Sequence, residues 1–390
     1  MSREQLHNIL YSGGWQHCIS VFNGEQQQLS ERYYKDFVSF LPHAQRFLYG
    51  ESRNAGDSNQ PGESALSAFR RSDVAQLRVV LREGEPALLL QVTQVELCLL
   101  DDADVALLQI ELHAQNLSLA TAQDLLYRFG RAYPTGWDED GNGVHNALLV
   151  EWLDANGAVL ASSGSDQRDK FLAFAMQHRA PAISSHWAFL LQPLVLQSSA
   201  QPDALRFRQV EYHRMPLLAY LALDNPRALS HEQWVRLGLI ATLHPDEALP
   251  LQSPDVSEFE SRYCYDRYWS NSQAGPNSRF LSSGRALLLV GDANSAYFLD
   301  PERGMLVQFR HQYRQLFLVN HFHRATLLLY SQLLADSMQR LDVRSPESIR
   351  RFKRRIREGF EAFLRFTHRY WFHELSETPQ LQAVYRLRGG

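Results

Sequence analysis

The chain reads as a mixed α/β protein, a sheet layered with helices, continued by a long antiparallel helical hairpin. Three observations predict this. Runs rich in Val, Leu and Ile, each of strand length, are separated by acidic or Gly-Pro turns. An Asn156-Gly157 pair, a strong hairpin-turn signal, lies between two more such runs. Beyond residue 304, two apolar stripes recur at spacings of three and four residues on either side of a short turn.

Taken in order, residues 1–48 are mixed, with aromatics at Tyr33, Tyr34, Phe37 and Phe40. Gly50–Glu63 (GESRNAGDSNQPGE) is too small and polar to bury a core and is expected to be a mobile loop. Val74–Leu81, Ala87–Leu100 and Val105–His113 predict a β-meander, turned at Glu83-Gly84-Glu85-Pro86 and at Asp101-Asp102-Ala103-Asp104. Leu107-Leu108 breaks the alternation, which marks a bulge or a strand buried on both faces. Thr121–Arg131 is helical, with Leu125, Leu126 and Phe129 on one stripe. Ala147–Leu153 and Ala158–Ser162 form the hairpin closed by Asp154-Ala155-Asn156-Gly157.

The first long helix carries Leu316, Val319, His323, Leu327, Tyr330, Leu334, Met338 and Leu341. After Asp342-Val343-Arg344, Ser345 is the expected N-cap, with Pro346 at the first helical position and Glu347 beside the positive end of the dipole. The second helix carries Ile349, Phe352, Ile356, Phe360, Phe363, Thr367 and Tyr370. The short loop makes the two antiparallel, and a pair this long needs a further partner to cover its seam. The expected organisation is a mixed α/β domain over 1–304, the hairpin over 305–378 and a C-terminal tail over 379–390.

Composition excludes several classes. The 390 residues are 45% hydrophobic and 21% charged, as in an ordinary globular chain. With 39 basic and 43 acidic residues the net charge is −4, so no global basicity draws the chain to nucleic acid, and none is expected as a partner. Only Lys35, Lys170 and Lys353 are lysines; the other basic residues are arginine. Cys18, Cys98 and Cys264 are widely separated and odd in number, neither a disulfide framework nor a zinc or redox pair, which suits a reducing cytoplasm. Neither a signal-peptide core nor a membrane-length apolar run is present, Trp187–Leu196 being too short and interrupted by Gln192 and Pro193.

Candidate chemistry is sparse. Asp138, Asp140, Asn142 and Gly143 fit positions one, three, five and six of a calcium loop, which alternates oxygen ligands before a sharp glycine turn. Leu149 stands where the closing glutamate belongs, so an ion-free acidic turn is the better reading and a weak Mg²⁺ or Ca²⁺ site the sharper one. His321 and His323 lie about 200° apart on a helix, a poor chelate, and His323 on the apolar stripe reads as a core histidine. No H-E-x-x-H, G-x-S-x-G or phosphate loop occurs, and no enzyme is expected. Arg350, Arg351, Lys353, Arg354, Arg355 and Arg357 form a basic run, read first as a solvated face paired with acidic neighbours and second as a subunit contact or anion site. The terminal Arg386-Leu387-Arg388-Gly389-Gly390 matches the end of ubiquitin but follows no small β-grasp domain, and is read as coincidence.

Four stretches carry a family resemblance: Arg208–Leu223, Arg262–Trp269, Phe309–Tyr330 and Ser345–Ser376, with Arg365–Glu374 the most specific. They resemble a bacterial family of CorA-like proteins, relatives of the CorA magnesium transporters. That resemblance implies a cytosolic α/β domain followed by long helices, a homo-oligomer and divalent cations, Mg²⁺ above all, bound between subunits as a regulatory gate. It carries over no pore, since neither the transmembrane pair nor the Gly-Met-Asn signature is present. The expectation is a cytosolic portion only, either truncated, a soluble relative, or the partner of a membrane protein at the inner membrane face. Two alternatives stand beside it: an interaction or ligand-sensing protein without ion transport, and a nucleotide-acting enzyme that clamps phosphate with the arginines of 350–357.

Overall fold

A computed structural model describes residues 3–18, 31–50, 65–197, 199, 201, 204–210, 213–240, 253–269 and 277–387. The expected mobile loop, apart from Gly50, and the last three residues lie outside the described residues. The chain is mixed α/β, and a long helical pair follows the strands. It divides into two compact units, 1–17 with 69–96 and 108–309, and 18–68 with 97–107 and 310–390.

The first unit holds two main sheets. One contains the antiparallel order Leu88–Leu100, Gln76–Val80, Leu149–Leu153, Val159–Ser162. The turn into Val159–Ser162 forms as the Asn-Gly pair predicts: Gly157 takes φ +82°, and Asp154 Oδ1 accepts from the amides of Asn156 and Ala158, both at 2.8 Å. The other sheet runs Leu217–Leu223, Ala286–Asp292, Arg279–Ser283, Cys264–Tyr265, its first pair parallel and the rest antiparallel. Ala286–Val290 is fully buried, so its side chains do not alternate between core and solvent.

Helix Leu119–Phe129 begins where Ser118 caps the Thr121 amide at 3.0 Å. It packs on the second sheet through Tyr127, which joins Ala219, Trp234, Leu281, Ala286, Leu288 and Val290 in one apolar cluster. Phe129, Trp152 and Trp187 pack ring against ring at 5.1–6.0 Å.

In the second unit, helices Arg314–Gln339 and Pro346–Arg369 form the hairpin, with Ser345 capping the Ser348 amide at 3.3 Å as its sequence position implies. The stripe of the first helix is buried at Leu316, Val319, His323 and Tyr330 but exposed at Leu334 (49%) and Met338 (59%). On the second helix Phe366 is buried while Phe360 is 59% exposed. Helix Pro42–Tyr49 stacks Phe47 on Tyr370 and Phe372 at 5.5 and 5.3 Å, covering the base of the seam. Within the stretch expected to be a tail, Pro379–Leu387 is a helix that buries Leu381, Val384 and Tyr385. Tyr385 Oη donates to the Phe372 carbonyl at 2.7 Å, which ties it down.

His323 is a core histidine, as its place on the stripe suggested. Its Nε2 donates to the Tyr370 carbonyl at 2.5 Å and its ring stacks on Trp371. Burial pushes its pKa down to about 4, with His373 adding to the shift and the Tyr370 carbonyl opposing it.

Candidate functional site

The site lies in the first unit, where the end of helix Leu119–Phe129 meets the starts of two strands of the second sheet. After Leu119–Phe129 the chain turns at Gly130, and Arg131 bridges antiparallel to Arg214. The amide of Met215 donates to the Gly130 carbonyl at 3.0 Å, and that of Ala132 to the His213 carbonyl at 2.8 Å. The carbonyl of Arg285, at the turn before Ala286–Asp292, accepts from the Leu217 amide at 3.0 Å. Three arginines distant in sequence are thereby fixed by backbone bonds.

Arg131 is 2% exposed. Its carbonyl accepts from the Trp187 indole at 2.6 Å, its Nε donates to the Tyr127 carbonyl at 3.1 Å, and its guanidinium lies 4.2 Å over the Tyr127 ring. Nη1 is 2.8 Å from His213 Nε2. A guanidinium only donates, so that nitrogen accepts and the imidazole is neutral with its proton on Nδ1. Arg131 Nη2 and Arg214 Nε are buried without a hydrogen-bond partner. Among the described residues, no carboxylate pairs with Arg131, Arg214 or Arg285.

The electrostatics match that geometry. Burial lowers the pKa of Arg285 to about 10, with Arg214 and Arg131 adding to the shift. Arg131 is lowered too, by burial first, then by Arg214 and Arg128 against an opposing Tyr127 contribution. His213 falls to about 4, through burial and then Arg131, Arg214, Arg285 and His145. His145, at φ +67° and 5.7 Å from the Tyr127 ring, is lowered by burial and by Arg131, Arg128 and Arg214. Asp124, on the same helix as Tyr127, does not balance the set. Its two oxygens already accept from Arg82 and Arg128 at 2.9–3.1 Å.

A second buried arginine of this unit shows the contrast. Arg279 grips both oxygens of Asp266 at 2.6 and 2.8 Å and Glu260 Oε2 at 2.5 Å, between Trp234 and Trp269. That charge is matched, as buried charges ordinarily are. An uncompensated buried charge is typically destabilising by several kcal/mol, so the unmatched cluster asks for a ligand. Its chemistry is that of an anion clamp, guanidinium forks suiting carboxylate or phosphate oxygens.

The residues chosen from sequence lie elsewhere. Asp138 serves its own turn, its Oδ1 accepting from the Asn142 amide at 2.7 Å, while Asp140 is exposed and Asn142 lines a separate pocket of about 590 Å³. Among the described residues, no three His, Cys, Asp or Glu side chains are placed to hold a metal ion. Arg350, Arg351, Arg354, Arg355 and Arg357 are exposed on Pro346–Arg369. Three of them pair one turn along: Arg351 with Glu347 (2.8 Å), Arg354 with Glu358 (3.9 Å) and Arg357 with Glu361 (2.9 Å). The sequence offered no signal for Arg131, Arg214 and Arg285, which share no motif or spacing and meet only in the fold. None of Cys18, Cys98 and Cys264 is joined in a disulfide. Among the described residues, no helix is long and apolar enough to cross a membrane.

Comparison with known protein families, with curated proteins and with solved structures finds no match for this chain.

Proposed function

We propose that this is a cytoplasmic ligand-sensing protein whose ligand is an anion held by Arg131, Arg214 and Arg285. One observation carries the reading: two guanidinium nitrogens, Arg131 Nη2 and Arg214 Nε, are buried without partners in a cluster that no described carboxylate balances. The ligand supplies the missing charge and acceptors. His213 holds Arg131 in place, and the Tyr127 ring supports its guanidinium from beneath.

The test is a thermal-shift series on the full chain with anions and with MgCl₂, at constant ionic strength. Stabilisation by at least one oxyanion beyond a chloride control, reduced in Arg131→Gln, is the expected result. A melting temperature indifferent to every oxyanion would remove the proposal.

A second reading is the assembly role implied by the CorA-like resemblance, in which copies of this chain dock through the hairpin and Mg²⁺ tunes the contact. It is favoured by the exposed Leu334 and Met338 toward the end of the first long helix and by the exposed Phe360 on the second. Three arginines of the second helix pair with glutamates one turn away, and the remaining basic residues leave that helix with an excess of positive charge for a second copy to meet. Solution mass with and without Mg²⁺ tests it; a monomer under both conditions ends it.

A further inference from the structure

Resting on the anion reading above, we infer that the ligand's charged end is a tetrahedral dianion, a phosphoryl group, delivered as inorganic phosphate or as a phosphate monoester.

Charge comes first. Three arginines are held at this corner by backbone bonds, and the imidazole of His213 is neutral because its Nε2 accepts from Arg131. A single carboxylate would leave two cations uncompensated inside the fold. A dianion leaves one, and Arg214 and Arg285 are only half-buried, so water can screen the remainder.

Donor arrangement comes second. A planar carboxylate is satisfied along one edge by one guanidinium fork. Here the unpartnered donors belong to different side chains, Arg131 Nη2 and Arg214 Nε, and Arg285 brings a third guanidinium. Donors converging from separate groups suit oxygens that radiate from one centre, as those of a phosphoryl group do. Arg131 cannot swing away to form a simple fork, because Nε and Nη1 are committed to the Tyr127 carbonyl and to His213.

The surroundings bear on the source of the phosphoryl group. The pocket of about 590 Å³ lined by Asn142, Ser162, Asp166, Gln167 and Lys170 includes none of the three arginines, so it does not select an organic moiety for them. Inorganic phosphate needs only the arginines.

The experiment is calorimetric titration of the full chain at mildly alkaline pH, where the phosphoryl group carries two charges. Ionic strength is held constant, and the probes are inorganic phosphate, glycerol 2-phosphate, acetate and succinate. Phosphate or the monoester should bind at least tenfold more tightly than either carboxylate. The tighter of the two phosphates identifies the source. Arg214→Gln and Arg285→Gln should each weaken that binding tenfold or more, with thermal melts verifying their fold, whereas Arg354→Gln on the exposed run of the second unit should not. Acetate or succinate binding as tightly as phosphate, and through the same arginines, would overturn the phosphoryl inference while leaving an anion site standing. Binding of none of the four would overturn both.

Discussion

Replacing Arg285 with Met should make the ligand-free protein more stable, the reverse of what loss of a half-buried side chain ordinarily does. Burial, Arg214 and Arg131 together bring the Arg285 pKa from 12.5 to about 10. At about 1.4 kcal/mol per unit, holding that charge costs about 3 kcal/mol. Methionine keeps much of the aliphatic packing of the arginine stem and drops the charge. Some of the gain is offset by side-chain hydration lost at the half-exposed edge, which leaves about 1–3 kcal/mol of net stabilisation. Each kcal/mol raises the melting temperature of a chain this large by about 1–2 °C. Denaturant titration in an oxyanion-free chloride buffer, read as a rise in midpoint at constant slope, measures the effect. Saturating phosphate should narrow that difference, because the native protein gains about 2.7 kcal/mol at a hundredfold excess over Kd and a variant that binds tenfold more weakly gains about 1.4 kcal/mol. A variant less stable than the parent by 1 kcal/mol or more in oxyanion-free buffer would show that the guanidinium has a partner, and would refute the reasoning.

Arg279→Met in the matched network should act in the opposite sense, destabilising by about 3–5 kcal/mol because Glu260 and Asp266 lose their counter-charge; chemical denaturation reads the difference directly. His323 has a folded pKa near 4 against about 6.5 unfolded, so the unfolded chain binds the extra proton between those values. Stability should therefore fall by up to about 3 kcal/mol as pH drops through that window, and His323→Gln should flatten the slope measured by thermal unfolding between pH 7 and pH 4. Gly291→Ala would drive a Cβ into the ring of Phe298, which is fully buried, and should destabilise by about 1–3 kcal/mol or more, seen as a lowered melting temperature. Ser345→Ala removes the cap of the second long helix and should destabilise by about 1 kcal/mol, visible in the helical signal during denaturation.

The parts of the fold legible in the sequence were those with a local signal. Asn156-Gly157 announced its hairpin because few pairs tolerate the positive φ required there. Ser345-Pro346-Glu347 announced the start of a helix because each residue meets one requirement of a helix N-terminus. The second sheet was different. Leu217–Leu223 and Ala286–Asp292 are continuous apolar runs, and a strand buried on both faces has no period to separate it from a buried helix. The helix over Pro379–Leu387 is held by contacts of Leu381, Val384 and Tyr385 that its short, unremarkable sequence does not advertise. The candidate site was invisible for a further reason. Arg131, Arg214 and Arg285 are three among many arginines, and only the fold separates those with carboxylate partners from those without. The run at 350–357 drew notice by its density, yet density on one helix favours pairing with glutamates a turn away.

The parallel pairing of Leu217–Leu223 with Ala286–Asp292 also orders events during synthesis. Helix Leu119–Phe129 and the first sheet can form from chain already made, but Leu217 finds its neighbour only after residue 286 has emerged. Arg285 arrives with that strand, so the arginine constellation is completed late, when the final register locks. A phosphate-like anion added during refolding should leave early collapse untouched and act on the last, slowest phase, where non-local strands close.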